Sequence, residues 1–263
     1  MRMEIGMSLA CFYPLEPEKV VPIAQELEIG TCEIFLNTFS ELEETYLYEL
    51  RKACDEAKLK VYSIHPFTSA IENYFFFSPY PRRIEDAVSF YERYANAAKI
   101  LGASVVNIHG DRGIGLEDFE KYLECAKPLR VLQEKTGIIY SFENVFYNSV
   151  NHPEFTARLR QAAPDLRFTL DIKQAYKGGQ DPHLLAEAMG NSIANFHVND
   201  RDDAHICLLP GRGAVDYDPI LESLRNNDYQ GPALIEVYRK NFDCPEEITA
   251  AKNFLEEKVL LAK

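Results

Sequence analysis

Ser104-Val-Val-Asn-Ile-His-Gly110, the charged amphipathic stretch Leu116–Lys135, Gly137 and then Ile138-Ile-Tyr-Ser-Phe-Glu-Asn-Val145 read as strand, helix, strand. Both outer segments are short and apolar almost to their last residues, which suits strands covered on both faces of a parallel sheet. Gly137 stands where a helix ends and a strand begins. The same switch of period repeats in both directions. Further strands are expected at Glu4–Ala10, Thr31–Leu36, Lys60–Pro66, Arg167–Lys173, Ala194–Asp200 and Ala233–Tyr238. Further helices are expected at Glu41–Ala57, Arg83–Leu101, Pro153–Ala162, Pro182–Met189, Asp218–Asn226 and Pro245–Leu261. Ser40 before Glu41 and the pair Asp181-Pro182 are helix-start signals, and Gly102 and Gly231 mark helix ends. Eight such units in 263 residues fit a closed (β/α)8 TIM barrel, one domain over 1–263. An open dinucleotide-binding sheet fits less well, because no Gly-x-Gly-x-x-Gly follows the first strand.

Composition narrows the class. The formal charge is 28 − 41 = −13 with a pI near 5.0, which argues against holding duplex nucleic acid by phosphate neutralisation. No nucleic-acid partner is expected. No stretch approaches the ~20 apolar residues of a membrane helix, and Glu4 interrupts what would be a signal peptide's apolar region. The six cysteines lie far apart without a Cys-x-x-Cys pair, so free thiols and a cytoplasmic location are the expectation.

In such a barrel the C-terminal ends of the strands converge on one mouth. Six successive strands carry an ionisable group there: His65, His109, Glu143, Asp171, His197 and Glu236. Any one of them is readable as a solvated loop residue or a helix cap. Glu143, Asp171 and Glu236 are harder to dismiss, because each follows an apolar run and an unpaired buried carboxylate costs several kcal/mol. Three carboxylates around one cavity repel unless a cation neutralises them. Glu143, Asp171, His197 and Glu236 make three carboxylates and one imidazole, a set suited to one divalent ion: Mn2+, Mg2+ or Co2+, with Zn2+ also compatible. His65 and His109 reach the mouth from the other side, to bind substrate hydroxyls or a second metal.

With these segments in order, the chain resembles the sugar phosphate isomerase/epimerase family, the xylose-isomerase-like TIM barrels. The carrying segments are IHP at 64–66, NIHGD at 107–111, FENV at 142–145, TLDIKQA at 169–175, FHVND at 196–200, LPGRG at 209–213 and LIEVY at 234–238. The superfamily includes ketose 3-epimerases, hydroxypyruvate isomerase, inosose dehydratase and, more distantly, endonuclease IV. The resemblance implies Glu143, Asp171, His197 and Glu236 as metal ligands, with Glu143 and Glu236 also the acid/base pair. Where many members carry a histidine three residues after the strand-six aspartate, this chain has Gln174. That departure, with the acidic charge, disfavours an abasic-site nuclease, although Asp203-Ala-His205 echoes the nuclease pattern.

The reaction these residues support is proton transfer beside a carbonyl of a small sugar, sugar phosphate or polyol ketone, through an enediolate stabilised by the cation. Two bases on opposite faces give epimerisation and one base gives isomerisation. A dehydratase using the same ligands and a non-catalytic sugar-binding barrel are the rivals. Lys173, two residues after Asp171, is expected on the same side by strand alternation, to polarise a carbonyl or to balance the carboxylates. Gln174 and Asp200 join the substrate-binding candidates, and Asn199 and Asp200 are candidates to orient His197. Arg212, between Gly211 and Gly213, is either a phosphate ligand or a solvated turn residue. The loop Thr68–Pro81, with Tyr74-Phe75-Phe76-Phe77, is readable as a lid, a homo-oligomer contact or a segment packed on the core.

Overall fold

The structure, a computed structural model, describes residues 3–261. Eight parallel strands close in sequence order into a barrel: β1 (Ile5–Ser8), β2 (Thr31–Leu36), β3 (Lys60–Pro66), β4 (Val105–Ile108), β5 (Ile139–Glu143), β6 (Arg167–Asp171), β7 (Ile193–Val198) and β8 (Ala233–Ile235). β8 closes on β1 through Ile5 opposite Ala233 and Met7 opposite Ile235. The closed parallel barrel expected above is the fold observed. No helix among the described residues is long and apolar enough to cross a membrane.

Several boundaries differ from expectation in one direction: β6 stops at Asp171 rather than Lys173, and β8 at Ile235 rather than Tyr238. Beyond those points β6 passes at once into a helix, and β8 keeps one further bond to β7, from Glu236 N–H to Val198 O. Two α-helices longer than four residues escape the periodicity. Pro17–Glu26 begins with proline in its first turn but contains Pro22, which obscures its pattern. Ile172–Lys177 follows β6 at once, capped by Asp171, whose Oδ1 accepts the Gln174 N–H at 2.8 Å. Gly102 and Gly137 do end their helices, at φ +78° and +73°.

The aromatic loop after β3 is largely core. Phe76 and Phe77 are buried, packed edge-on against Tyr91 and tilted against Tyr122 respectively, while Tyr74 is exposed. Glu72 in the same segment is fully buried and accepts hydrogen bonds from Tyr91 (2.6 Å) and the Gly110 N–H (2.7 Å), tying this loop to the one after β4.

The barrel interior is the unusual part. Where branched aliphatic side chains normally fill such a barrel, a layer of fully buried polar residues lies here: Glu33, Ser63, Asn107, Ser141, Thr169 and Asn195. They satisfy one another. Thr169 Oγ1 donates to Asn107 Oδ1 (2.6 Å) and lies 2.8 Å from Ser141 Oγ, while Ser63 and Asn195 both donate to Glu33 Oε2. A buried network of this kind, in which Glu33 Oε1 is left without a partner, holds its members in single rotamers. It forms the floor of the mouth.

Candidate active site

Above that floor four side chains meet. Asp171 and His197 are in register on β6 and β7, Glu143 ends β5, and Glu236 follows β8 with its N–H still bonded to Val198 O at 3.0 Å. His197 Nδ1 lies 4.0 Å from Glu143 Oε2, 3.8 Å from Asp171 Oδ2 and 3.6 Å from Glu236 Oε2. All four residues are buried or nearly so, Glu236 keeping a slightly exposed side chain.

Local contacts explain the orientation. Asn144 clamps the strand ends, its Oδ1 accepting the Asp171 N–H (2.7 Å) and its Nδ2 donating to Asp171 O (2.9 Å). Asp171 Oδ1 is spent on its helix cap, so Oδ2 is the atom left facing the site. Asn107 donates to Glu143 Oε2 from the floor. His197 Nε2 lies 3.1 Å from Glu33 Oε2, a contact that fixes the ring and turns Nδ1 toward the three carboxylates. Asn199 and Asp200 do not perform that task. Both polar atoms of the Asn199 side chain lack a hydrogen-bond partner, and Asp200 faces a different loop.

A divalent cation fits this set on chemical grounds. His197 Nδ1 and Asp171 Oδ2 are buried polar atoms with no hydrogen-bond partner, a costly state unless something electropositive satisfies them. Glu143, Asp171 and His197 each offer a ligand atom within 4.8 Å of the others, as do Glu33, His197 and Glu236, and also His65, His109 and Glu143. Oxygen and imidazole donors without thiolate suit Mn2+, Mg2+, Co2+ or Zn2+.

The charges are already partly balanced. Burial would raise the Glu143 carboxyl, but His109, His65 and His197 hold it well below the usual carboxylate range. Glu236, likewise opposed by burial, is held low by the Lys173 ammonium and His197. Burial raises Asp171, only partly countered by Lys173. His197 stays well above its ordinary value despite burial, because Glu33 and Glu236 face it. Lys173 Nζ sits 2.7 Å from Glu236 Oε2 and 3.5 Å from Asp171 Oδ2. It arrives there from the first turn of a helix, not by strand alternation.

The other expected site residues divide. His65 Nε2 and His109 Nε2 are 3.1 Å apart and 3.8 and 3.5 Å from Glu143 Oε2. Both line a cavity of about 550 Å3, together with Glu143, Lys173, Gln174 and Glu236. Gln174 also accepts the Phe146 N–H at 3.3 Å. Asp200 and Arg212 are not among the lining residues. The Asp200 carboxylate accepts the N–H groups of Arg201, Gly211, Gly213 and Val215 at 2.8–3.0 Å, and so folds the loop after β7. Arg212 is half exposed and pairs with Glu247. His205 is exposed and tied to Asp202, so the nuclease-like triplet does not enter the cavity.

Glu33 is the residue that strand-end reasoning missed. Its signal was a lone acid inside the apolar strand Thr31–Leu36.

Comparison with known proteins agrees with this fold. The chain is 23% identical over 194 residues to the inosose isomerase of Bacillus velezensis, covering 65% of this chain and 68% of that protein. Among solved structures, it superposes on a D-tagatose 3-epimerase-like protein with a TM-score of 0.77 at 20% identity, covering 99% and 98% of the two chains. It also superposes on the D-allulose 3-epimerase of Methylomonas sp. with a TM-score of 0.79 at 16% identity, covering 98% and 97%. The family model of the xylose isomerase-like TIM barrel matches residues 21–258, and the chain belongs to that family.

Proposed function

We propose that this protein is a divalent-metal-dependent isomerase or epimerase that moves a proton beside the carbonyl of a small sugar or polyol ketone. The observation that carries the reading is the convergence of Glu143, Asp171 and Glu236 on the partnerless Nδ1 of His197. Family membership and the epimerase and isomerase relatives support it. Glu143, Asp171, His197 and Glu236 would hold the ion. Bound there, it would polarise the substrate carbonyl and offset the charge of an enediolate.

The chain's own groups supply the rest. Glu143 and Glu236 come from β5 and the end of β8, on different sides of the mouth, and each is held ionised by neighbouring cations. One carboxylate accepts the C–H proton and one returns a proton to carbon or oxygen. His65 and His109 bind hydroxyls beside Glu143, and Lys173 holds a substrate oxygen beside Glu236. The test is metal analysis of the purified protein followed by incorporation of solvent deuterium into ketoses in D2O. Exchange at one carbon without loss of water is the expected result. Absence of metal, or elimination of water, would overturn the reading.

A further inference from the structure

The cavity has two unlike halves. Ligand-type side chains from β3 to β8 occupy one, with His65 at its edge against Phe35. Tyr13 after β1, Phe35 on β2 and Phe67 after β3 line the other, and Tyr238 after β8 closes the gap between them. Phe35 packs against the His65 ring at 4.9 Å and Phe67 against Phe39 at 5.1 Å. Tyr13 is 59% exposed and Tyr238 48%, which leaves apolar ring surface open to the cavity side. Polar groups are sparse in this half: Ser69 is spent on Pro66 O, and Asn37 donates to Phe35 O but keeps a partnerless Oδ1. A narrow apolar cleft between Leu9, Leu15 and Pro17 continues from it past Tyr13 and Phe35.

The cation inventory is as informative. Among the residues lining the cavity, Lys173 is the one Lys or Arg, and two carboxylates already hold it. The neighbouring histidines face Glu143. Phosphate recognition calls for uncommitted Arg or Lys donors or a helix N-terminus, and a chain of charge −13 repels anions at long range. A volume of about 550 Å3 lies within the usual range of small-molecule pockets, roughly 300–1,000 Å3.

We propose that the substrate is a neutral sugar carrying a second, apolar-faced ring: a glycoside, with its sugar over the ligand half and its aglycone against Tyr13, Phe35 and Phe67. This deepens the functional reading above and rests on it for the placement of the sugar. Ring faces stacked on aromatic side chains give such a ligand affinity that neither a free sugar nor a sugar phosphate obtains.

Equilibrium binding, with no turnover required, tests it. Hexoses of several configurations are each offered to the protein as free sugar, 6-phosphate and phenyl glycoside. In at least one configuration the phenyl glycoside should bind ten-fold or more tighter than the free sugar, and the phosphate no tighter than the sugar. Tyr13→Ala, at an exposed ring, should abolish that gain while metal content and melting temperature stay unchanged, and Phe67→Leu should reduce it with metal content unchanged. A panel in which no phenyl glycoside gains ten-fold, or in which a phosphate binds tightest, overturns the proposal. Aglycone preference without deuterium exchange on any ketone would instead sink the isomerase reading alone.

Discussion

Buried acids at the barrel mouth fall into two groups, and the difference lies in what their oxygens touch. Asp200 and Asp111 are saturated: Asp200 accepts four backbone N–H groups, and Asp111 accepts Ser149 N, Ser149 Oγ and Gly115 N. Asp171, equally buried, is left with an oxygen that no donor satisfies, and Glu143 and Glu236 are met mainly by ionisable side chains. Backbone amides cannot leave or be exchanged for a ligand, so the first group builds loops. Side-chain partners and bare oxygens leave room for a cation and a substrate. Burial alone does not mark a site; burial without fixed donors does.

Substitutions can break this contrast. Glu143→Gln and Glu236→Gln should each lower turnover about 10²–10⁴-fold, with Glu143→Gln also losing metal in elemental analysis. Glu33→Gln should weaken metal affinity about 10–100-fold, because His197 loses the acceptor that fixes its ring; titration of the stripped protein with Mn2+ measures this. Unchanged affinity would show that Glu33 serves packing alone. Chelation should lower the melting temperature by about 5–10 °C, if the ion is present at a hundred times its dissociation constant and so contributes about 2.7 kcal/mol.

The saturated group should respond in the opposite sense. Asp200→Ala strands four partly buried amides and should destabilise the fold by about 1–3 kcal/mol in denaturant titration, while metal content stays at the wild-type value. Loss of metal instead would erase the distinction. Arg212→Ala should change least: the half-exposed guanidinium leaves Glu247 still accepting the Asp243 and Cys244 N–H groups, so melting temperature and sugar affinity should be indistinguishable from wild type.

Much of this was legible beforehand. Thr31–Leu36 and Lys60–Pro66 appear as strands at the boundaries expected from apolar runs and turn residues, and Pro153–Ala162, Pro182–Met189 and Asp218–Asn226 as helices. Glu143, Asp171 and Glu236 stood out because a charge that ends an apolar run is expensive to bury, and His197 because it falls at the same level on the next strand. Glu33 did not, since a search of strand ends passes over a residue in mid-strand whose side chain points down the barrel axis. Asp200 and Arg212 were drawn into the site by their position after β7, yet a loop's own hydrogen bonds are invisible in its composition. Lys173 reached the expected place by a different route, because β6 ends two residues earlier than the alternation assumed.

By itself the sequence determined the barrel and the four polar residues that crown β5 to β8, because both follow from local periodicity and from the cost of burying charge. Tertiary structure alone decided which acids are bare and which are saturated, and set an aromatic wall from β1 to β3 opposite the carboxylates. Those outcomes depend on donors brought from residues far apart in the chain, and no local pattern encodes their arrival.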